Sequence, residues 1–302
     1  MGRSLCLLDQ TFNAMGSPCE IKLYADSKAR ARHIAKRVID EVNRLEAKYS
    51  RYRQDSYLSR INQIAQTGGS IELDQETAGL MDYVATCWQQ SDGLFDVTSG
   101  ILRKAWVFKD QVLPDPQAIQ CLLRYVGWQR LVWANPILSF PEAGLELDLG
   151  GAVKEYAVDR VSSLCWDAGI QHGLINLGGD IKVIGPHPDG TPWAVGIRHP
   201  RDPERIARTV YLKRGAMASS GDYERCLVIN GRRFGHVLNP KTGWPVSRLA
   251  SVSVVAEFCV VAGSASTIAM LMEDRGPDWL RSMGVTHYWV DVEGHEGGDW
   301  VS

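Results

Sequence analysis

After Ser27 the apolar residues Ala31, Ile34, Ala35, Val38, Val42 and Leu45 recur at helical spacing. Positions three and four apart share one helix face, so this stretch predicts an amphipathic helix capped by Ser27. Just before it, residues 17–25 alternate apolar and polar, the pattern of a half-buried strand. A second helix is predicted over about 75–91, ending before Asp92-Gly93. A third runs from Ala152 to Ala168, with Val153, Ala157, Val161, Leu164 and Ala168 on one face and Gly169 at its exit. Two strands are predicted around a turn at Asn135-Pro136, and five more over 174–184, 193–198, 207–213, 225–230 and 250–256. Helices over 259–273 and 277–283 follow, the second entered through Pro277. Strand clusters beside separate helices predict an α+β fold, with mixed or antiparallel strands and packed helices, over a strictly alternating order. No linker or repeat interrupts the pattern, so one domain over 1–302 is expected.

Composition narrows the function classes. A net charge of −2 gives no electrostatic ground for binding nucleic acid or an anionic membrane. No run of about 18 apolar residues exists to span a bilayer. The apolar run at the N-terminus is short for a signal peptide, and Cys6 follows only five residues, so the chain as written is expected to be cytoplasmic. The seven cysteines stand singly, with no CxxC pair, and are expected to be small buried residues. The ten tryptophans are scattered and are expected to fill the core.

Chemistry concentrates at two glycine pairs, Asp148-Leu149-Gly150-Gly151 and Asn176-Leu177-Gly178-Gly179-Asp180. The first pair opens the predicted helix at 152–168, and a helix start directs unpaired N–H groups at whatever lies before it. Glycine also lets the backbone come close to a ligand. A phosphate is the natural guest. Ser219-Ser220-Gly221 offers hydroxyls in a turn, and His236 precedes a cluster of turn formers ending at Gly243.

The order of these motifs along the chain closely resembles the ApbE-type FAD:protein FMN transferases. Besides the two glycine pairs it includes the segments 12–17, 50–62, 95–100, 218–223, 236–243 and 262–267, and covers about residues 11–293. The resemblance implies a site for FAD and Mg2+, with transfer of FMN to a threonine hydroxyl of a target flavoprotein. It places Met15, Tyr52, Leu94, Phe95 and Asp96 around the flavin dinucleotide. Lys154, Tyr156, Asp180 and His236 would surround the phosphates and adenosine, with Gly150, Gly151, Gly178, Gly179 and Ser220 as further contacts. Either Asp180 or His236 would take the proton of the incoming hydroxyl. Mg2+ would sit at the Val153 carbonyl and at positions 263 and 267 of the last long helix.

Two residues depart from the family pattern. Gly263 stands where an aspartate is usual, four residues before Thr267, which removes the carboxylate from the implied metal site. Ser264 or water could stand in, and an aspartate restored at 263 is expected to raise metal affinity. Glu155 stands where glycine is usual beside the lysine; it either replaces the lost charge or, as expected here, faces solvent. The alternatives to transfer are a flavin-binding protein without transferase activity and a Mg2+-dependent FAD pyrophosphatase.

Overall fold

The computed structural model describes residues 5–108, 112–223 and 225–300. It opens with a hairpin of β1 (Cys6–Ala14) and β2 (Ser17–Ala25), joined through Met15-Gly16. α1 (Lys28–Tyr49) follows, with the Ser27 hydroxyl accepting from the Arg30 N–H, and its predicted apolar stripe is buried. Next come α2 (Tyr57–Thr67), β3 (Gly69–Glu72) and α3 (Gln75–Gln90), the last capped by Asp74. A 3-10 helix over Val97–Lys104, α4 (Pro116–Leu123), β4 (Val132–Ala134) and β5 (Ile137–Phe140) lead to α5 (Gly150–Asp167). β3, β5 and β4 form a small antiparallel sheet.

The second half is mostly strand. β6 (Gly173–Leu177) and β7 (Asp180–Gly185) form a hairpin, as do β8 (Trp193–His199) and β9 (Asp202–Leu212). β10 (Gly215–Gly221), β11 (Cys226–Ile229), β12 (Arg232–Gly235) and β13 (Leu249–Ala256) precede α6 (Cys259–Met272). α7 (Gly276–Ser282), β14 (Thr286–Asp291) and β15 (Glu296–Gly297) complete the described elements. The main sheet has the order β1-β2-β6-β7-β10-β13-β14-β15, and its ladders are antiparallel. The α+β expectation holds.

Strand periodicity assigns this sheet two different faces. Ile175 and Leu177 of β6, Ala216 and Ala218 of β10, and Val252 and Val254 of β13 join the core with α1, α5 and α6. On the opposite face Leu174, Val183, Met217 and Val290 pack against Trp193, Val195 and Val210 of the β8–β9 hairpin. The turn between β6 and β7 lies at the strand ends, inside a sheet covered on both faces.

Several expectations are refined. The strand predicted over 174–184 is two strands split by Gly178-Gly179, and β1, β10 and β14 lie outside the predicted strands. Trp106 and Trp193 are buried, whereas Trp166 is half exposed. Four cysteines are buried, but Cys121 is exposed. No helix among the described residues is long and apolar enough to cross a membrane.

Candidate functional site

The start of α5 is built from backbone and from residues that arrive through other segments. Its cap position, Leu149, has no side-chain acceptor; the Asp148 carboxylate instead accepts from the Gly150 N–H at 2.9 Å. The other oxygen of Asp148 is paired with Arg51, which also donates to the Tyr52 hydroxyl at 3.0 Å. This brings the exposed Tyr52 beside the helix entrance. Phe95 closes another side: a Cβ on Gly151 would lie 3.3 Å from its ring. Leu94 and Phe95 are buried.

Two hairpin tips meet at this place. Met15 and Gly16 have φ of 52° and 70°, and Gly178 and Gly179 have 63° and 96°. Two successive positive φ values are what a type I′ two-residue hairpin turn demands. A Cβ on Gly178 would stand 2.7 Å from that of Ser17 and 3.8 Å from the Lys154 ammonium. Only glycine allows both the conformation and the approach. Lys154, in the first turns of α5, lies 2.7 Å from the Asp180 carboxylate at the start of β7. Beside these tips runs a cleft lined by Asn13, Ala14, Gly16, Ser17, Pro18 and Glu46.

Ser220, on β10, exchanges hydrogen bonds with Ser266 (2.8 Å) and Thr267 (2.9 Å) of α6. His236 is exposed just after β12, which is held near the end of β10 by the close approach of Gly235 to Asp222. Asp96 is engaged internally, since it accepts from the Thr98 N–H and hydroxyl and from the Trp128 N–H, at 2.6–2.8 Å. Tyr156 turns to the α1–α3 side, where its hydroxyl donates to Glu76 at 3.1 Å. Burial, then the charge of Glu76, raise its phenol to about 12. Its position two residues after Lys154 turns it well away from that side chain.

The α5–α6 corner corrects one expectation outright. Glu155 is 8% exposed, so it does not face solvent. A Cβ on Gly263 would overlap Glu155 Cγ and lie 2.9 Å from its Cδ and Oε1. The glutamate thus fills the volume in which a side chain at 263 would stand, and an aspartate there would collide with it. Gly263→Asp alone therefore requires the Glu155 side chain to move out of this volume. Neighbouring positions on a helix do point differently, but α5 is enclosed on several faces by α1 and α6, so a different face is not a solvated one. Ser264 is also no substitute, because its hydroxyl is bonded to Tyr83 (2.6 Å) and to the Val260 carbonyl (2.8 Å).

Asp159 fixes how these helices meet. Its two oxygens accept the Cys259 and Val260 N–H groups at 2.9 Å, capping α6 from α5. One turn earlier on α5 is Glu155, and one turn later on α6 is Gly263, so the helices run antiparallel in register. The next step sets Thr267 level with the first turn of α5, which holds the buried Val153. Glu155 Oε2 is buried without a hydrogen-bond partner. Burial first, and then the negative charge of Asp180, hold its carboxyl above the usual glutamate range. A carboxylate, a threonine hydroxyl and a backbone carbonyl are hard oxygen donors, the kind Mg2+ takes. The residues present therefore fit that ion.

Sequence reasoning missed Arg51, Asp159 and the inward course of Glu155. Arg51 stands inside one of the ordered motifs, but nothing local marks its pairing with Asp148 across 97 positions.

Comparison with known proteins bears on what such a site does. The sequence model of the ApbE family matches residues 15–289. The chain is 31% identical over 250 residues to the FAD:protein FMN transferase of Haemophilus influenzae, covering 79% of this chain and 71% of that protein. It is 31% identical over 260 residues to the FAD:protein FMN transferase of Vibrio cholerae, covering 83% and 76%. The crystal structure of the ApbE protein of Thermotoga maritima superposes with a TM-score of 0.88 at 28% identity, over 97% of each chain. The apo flavinyl transferase ApbE of Pseudomonas stutzeri superposes with a TM-score of 0.86 at 27% identity, over 97% of this chain and 95% of that one.

Proposed function

The chain belongs to the ApbE family, and on that premise we propose that it is an FAD:protein FMN transferase acting on a threonine of a target flavoprotein with Mg2+. The observation that carries this reading is the convergence of the α5 entrance, the Gly178-Gly179 turn and the Lys154–Asp180 pair at one place. Together they offer a helix N-terminus and a cation to a pyrophosphate, while the N–H groups of Gly150, Gly178 and Gly179 are held by Asp148, the Pro18 carbonyl and Asn176. The reading treats residues 1–302 as one domain, since α1, α5 and α6 share a core with the main sheet.

In this reaction the threonine oxygen attacks the FMN-side phosphorus of FAD. The bond from that phosphorus to the bridging oxygen breaks, AMP leaves with the bridging oxygen, and the hydroxyl proton passes to a base. Lys154 binds the pyrophosphate and so shares its charge between substrate and Asp180. Asp180, 2% exposed, then holds a carboxylate next to the phosphates, where it can accept the threonine proton; His236 is the second candidate for that role. Bound Mg2+ would polarise the pyrophosphate and offset its charge. The Thr267 hydroxyl and the Val153 carbonyl are the groups that family resemblance assigns to it.

The test combines purified protein, FAD, MgCl2 and a threonine-containing acceptor, followed by in-gel flavin fluorescence and AMP measurement. Labelled acceptor with one AMP released per label is expected. AMP without label would replace this reading by hydrolysis. Bound FAD with neither product would replace it by flavin binding alone.

A further inference from the structure

We propose that Glu155 is the metal carboxylate of this chain, reaching from α5 into the space beside Gly263 to give Mg2+ the anionic oxygen that α6 lacks. The inference rests on the transferase reading for the existence of a Mg2+ site, but its residue assignment stands on the packing of α5 against α6.

Three observations point the same way. Gly263 leaves a volume that its own backbone cannot fill, and the occupant is a carboxylate carried by the facing helix. The Asp159 cap locks the helix register, so Glu155 meets Gly263 and Thr267 falls level with the α5 entrance. Oε2 of Glu155 has no donor although it is buried, and a buried carboxylate oxygen left without a partner is strongly disfavoured. A divalent cation between Glu155, Thr267 and the Val153 carbonyl would supply the missing partner. The two departures from the family pattern are then one change: the carboxylate has moved from α6 to α5, and glycine at 263 makes room for its longer side chain.

The experiment titrates full-length protein with Mn2+ by electron paramagnetic resonance, with and without saturating FAD, and follows FAD binding separately by flavin fluorescence. Wild type is expected to bind Mn2+, and Glu155→Gln to bind it at least about tenfold more weakly. Without metal, Glu155→Gln should melt at or above the wild-type temperature, so its loss of affinity is not a loss of fold. Gly263→Asp alone should bind Mn2+ more weakly than wild type, because two side chains compete for one volume. Joining Glu155→Gly to Gly263→Asp should bring affinity back to within about threefold of wild type, since it returns a ligating carboxylate to the site. Wild-type affinity in Glu155→Gln, absence of Mn2+ binding by wild type in both conditions, or a double variant no better than Glu155→Gly would each overturn the assignment. Failure of FAD to bind, with the Mn2+ series as expected, would sink the transferase reading and leave Glu155 as a metal ligand.

Discussion

Asp96 and Glu155 are both 8% exposed, one at the head of the 3-10 helix and one on α5. Around Asp96 every oxygen is engaged: two donors come from Thr98 and a third from the Trp128 N–H. Around Glu155 one oxygen has no donor, and the neighbouring charge of Asp180 is of the same sign. Equal burial therefore conceals two different purposes. Asp96 ties a loop to the chain near Trp128 and has little left for a ligand, whereas Glu155 is arranged for something that the polypeptide does not contain. An exposed acidic cluster makes a useful third case. Asp291 already accepts from the N–H groups of Glu293 and His295 and from the His295 ring, so its oxygens are occupied by its own turn.

Removing the satisfied carboxylate should do the most damage. Asp96→Ala leaves buried donors on Thr98 and Trp128 without acceptors, and is expected to lower stability by about 3 kcal/mol in urea unfolding. A loss under about 1 kcal/mol would show that the contrast with Glu155 is overstated.

Lys154→Ala addresses the intermediate case, Asp180, a carboxylate with a cation at 2.7 Å. It should weaken FAD binding by about 2 kcal/mol, roughly thirtyfold, if the ammonium also reaches the phosphates. Unchanged affinity in a flavin titration would remove Lys154 from the ligand site.

The unsatisfied carboxylate should behave in the opposite sense. Burial, and then Asp180, raise the Glu155 carboxyl above its ordinary value of 4.5. A raised folded value means that the contribution is whole below the unfolded value and is lost as pH rises through the folded one. Metal-free wild type should therefore fall behind Glu155→Gln progressively as pH rises from about 4.5 to about 8, and keep that deficit above it. Denaturant melts of both proteins at several pH values, with a chelator present, measure this. A wild type that gains on the variant with rising pH would reverse the assignment of Glu155 as the strained group. The smallest effect belongs to the exposed cluster: Glu293→Gln should leave Mn2+ affinity unchanged, and a marked loss would move the metal there.

Much of this contrast lies beyond local sequence. α1, α3, α5 and α6 are legible because helical spacing and capping residues such as Ser27 and Asp74 act within a few positions. β10, with the sequence Gly-Ala-Met-Ala-Ser-Ser-Gly, is not legible, since it lacks the β-branched residues that mark strands. Its small side chains are instead dictated by α6, whose Ser266 and Thr267 come within hydrogen-bond reach of Ser220. The Gly178-Gly179 pair is readable as a close-approach turn, which its φ values bear out, whereas Gly150 and Gly151 are the first residues of α5. Glu155 is misread from sequence because its environment comes from a helix more than a hundred residues away. Gly263 carries the clue, but only the packed structure shows that the gap and the extra carboxylate are the same place.

Anomalous diffraction from crystals of the protein grown with Mn2+ tests the relocated carboxylate most directly. A peak within bonding distance of a Glu155 carboxylate oxygen and the Thr267 hydroxyl is the predicted result. A well-occupied peak elsewhere, with Glu155 still packed on Gly263 and bound to no ion, would contradict it.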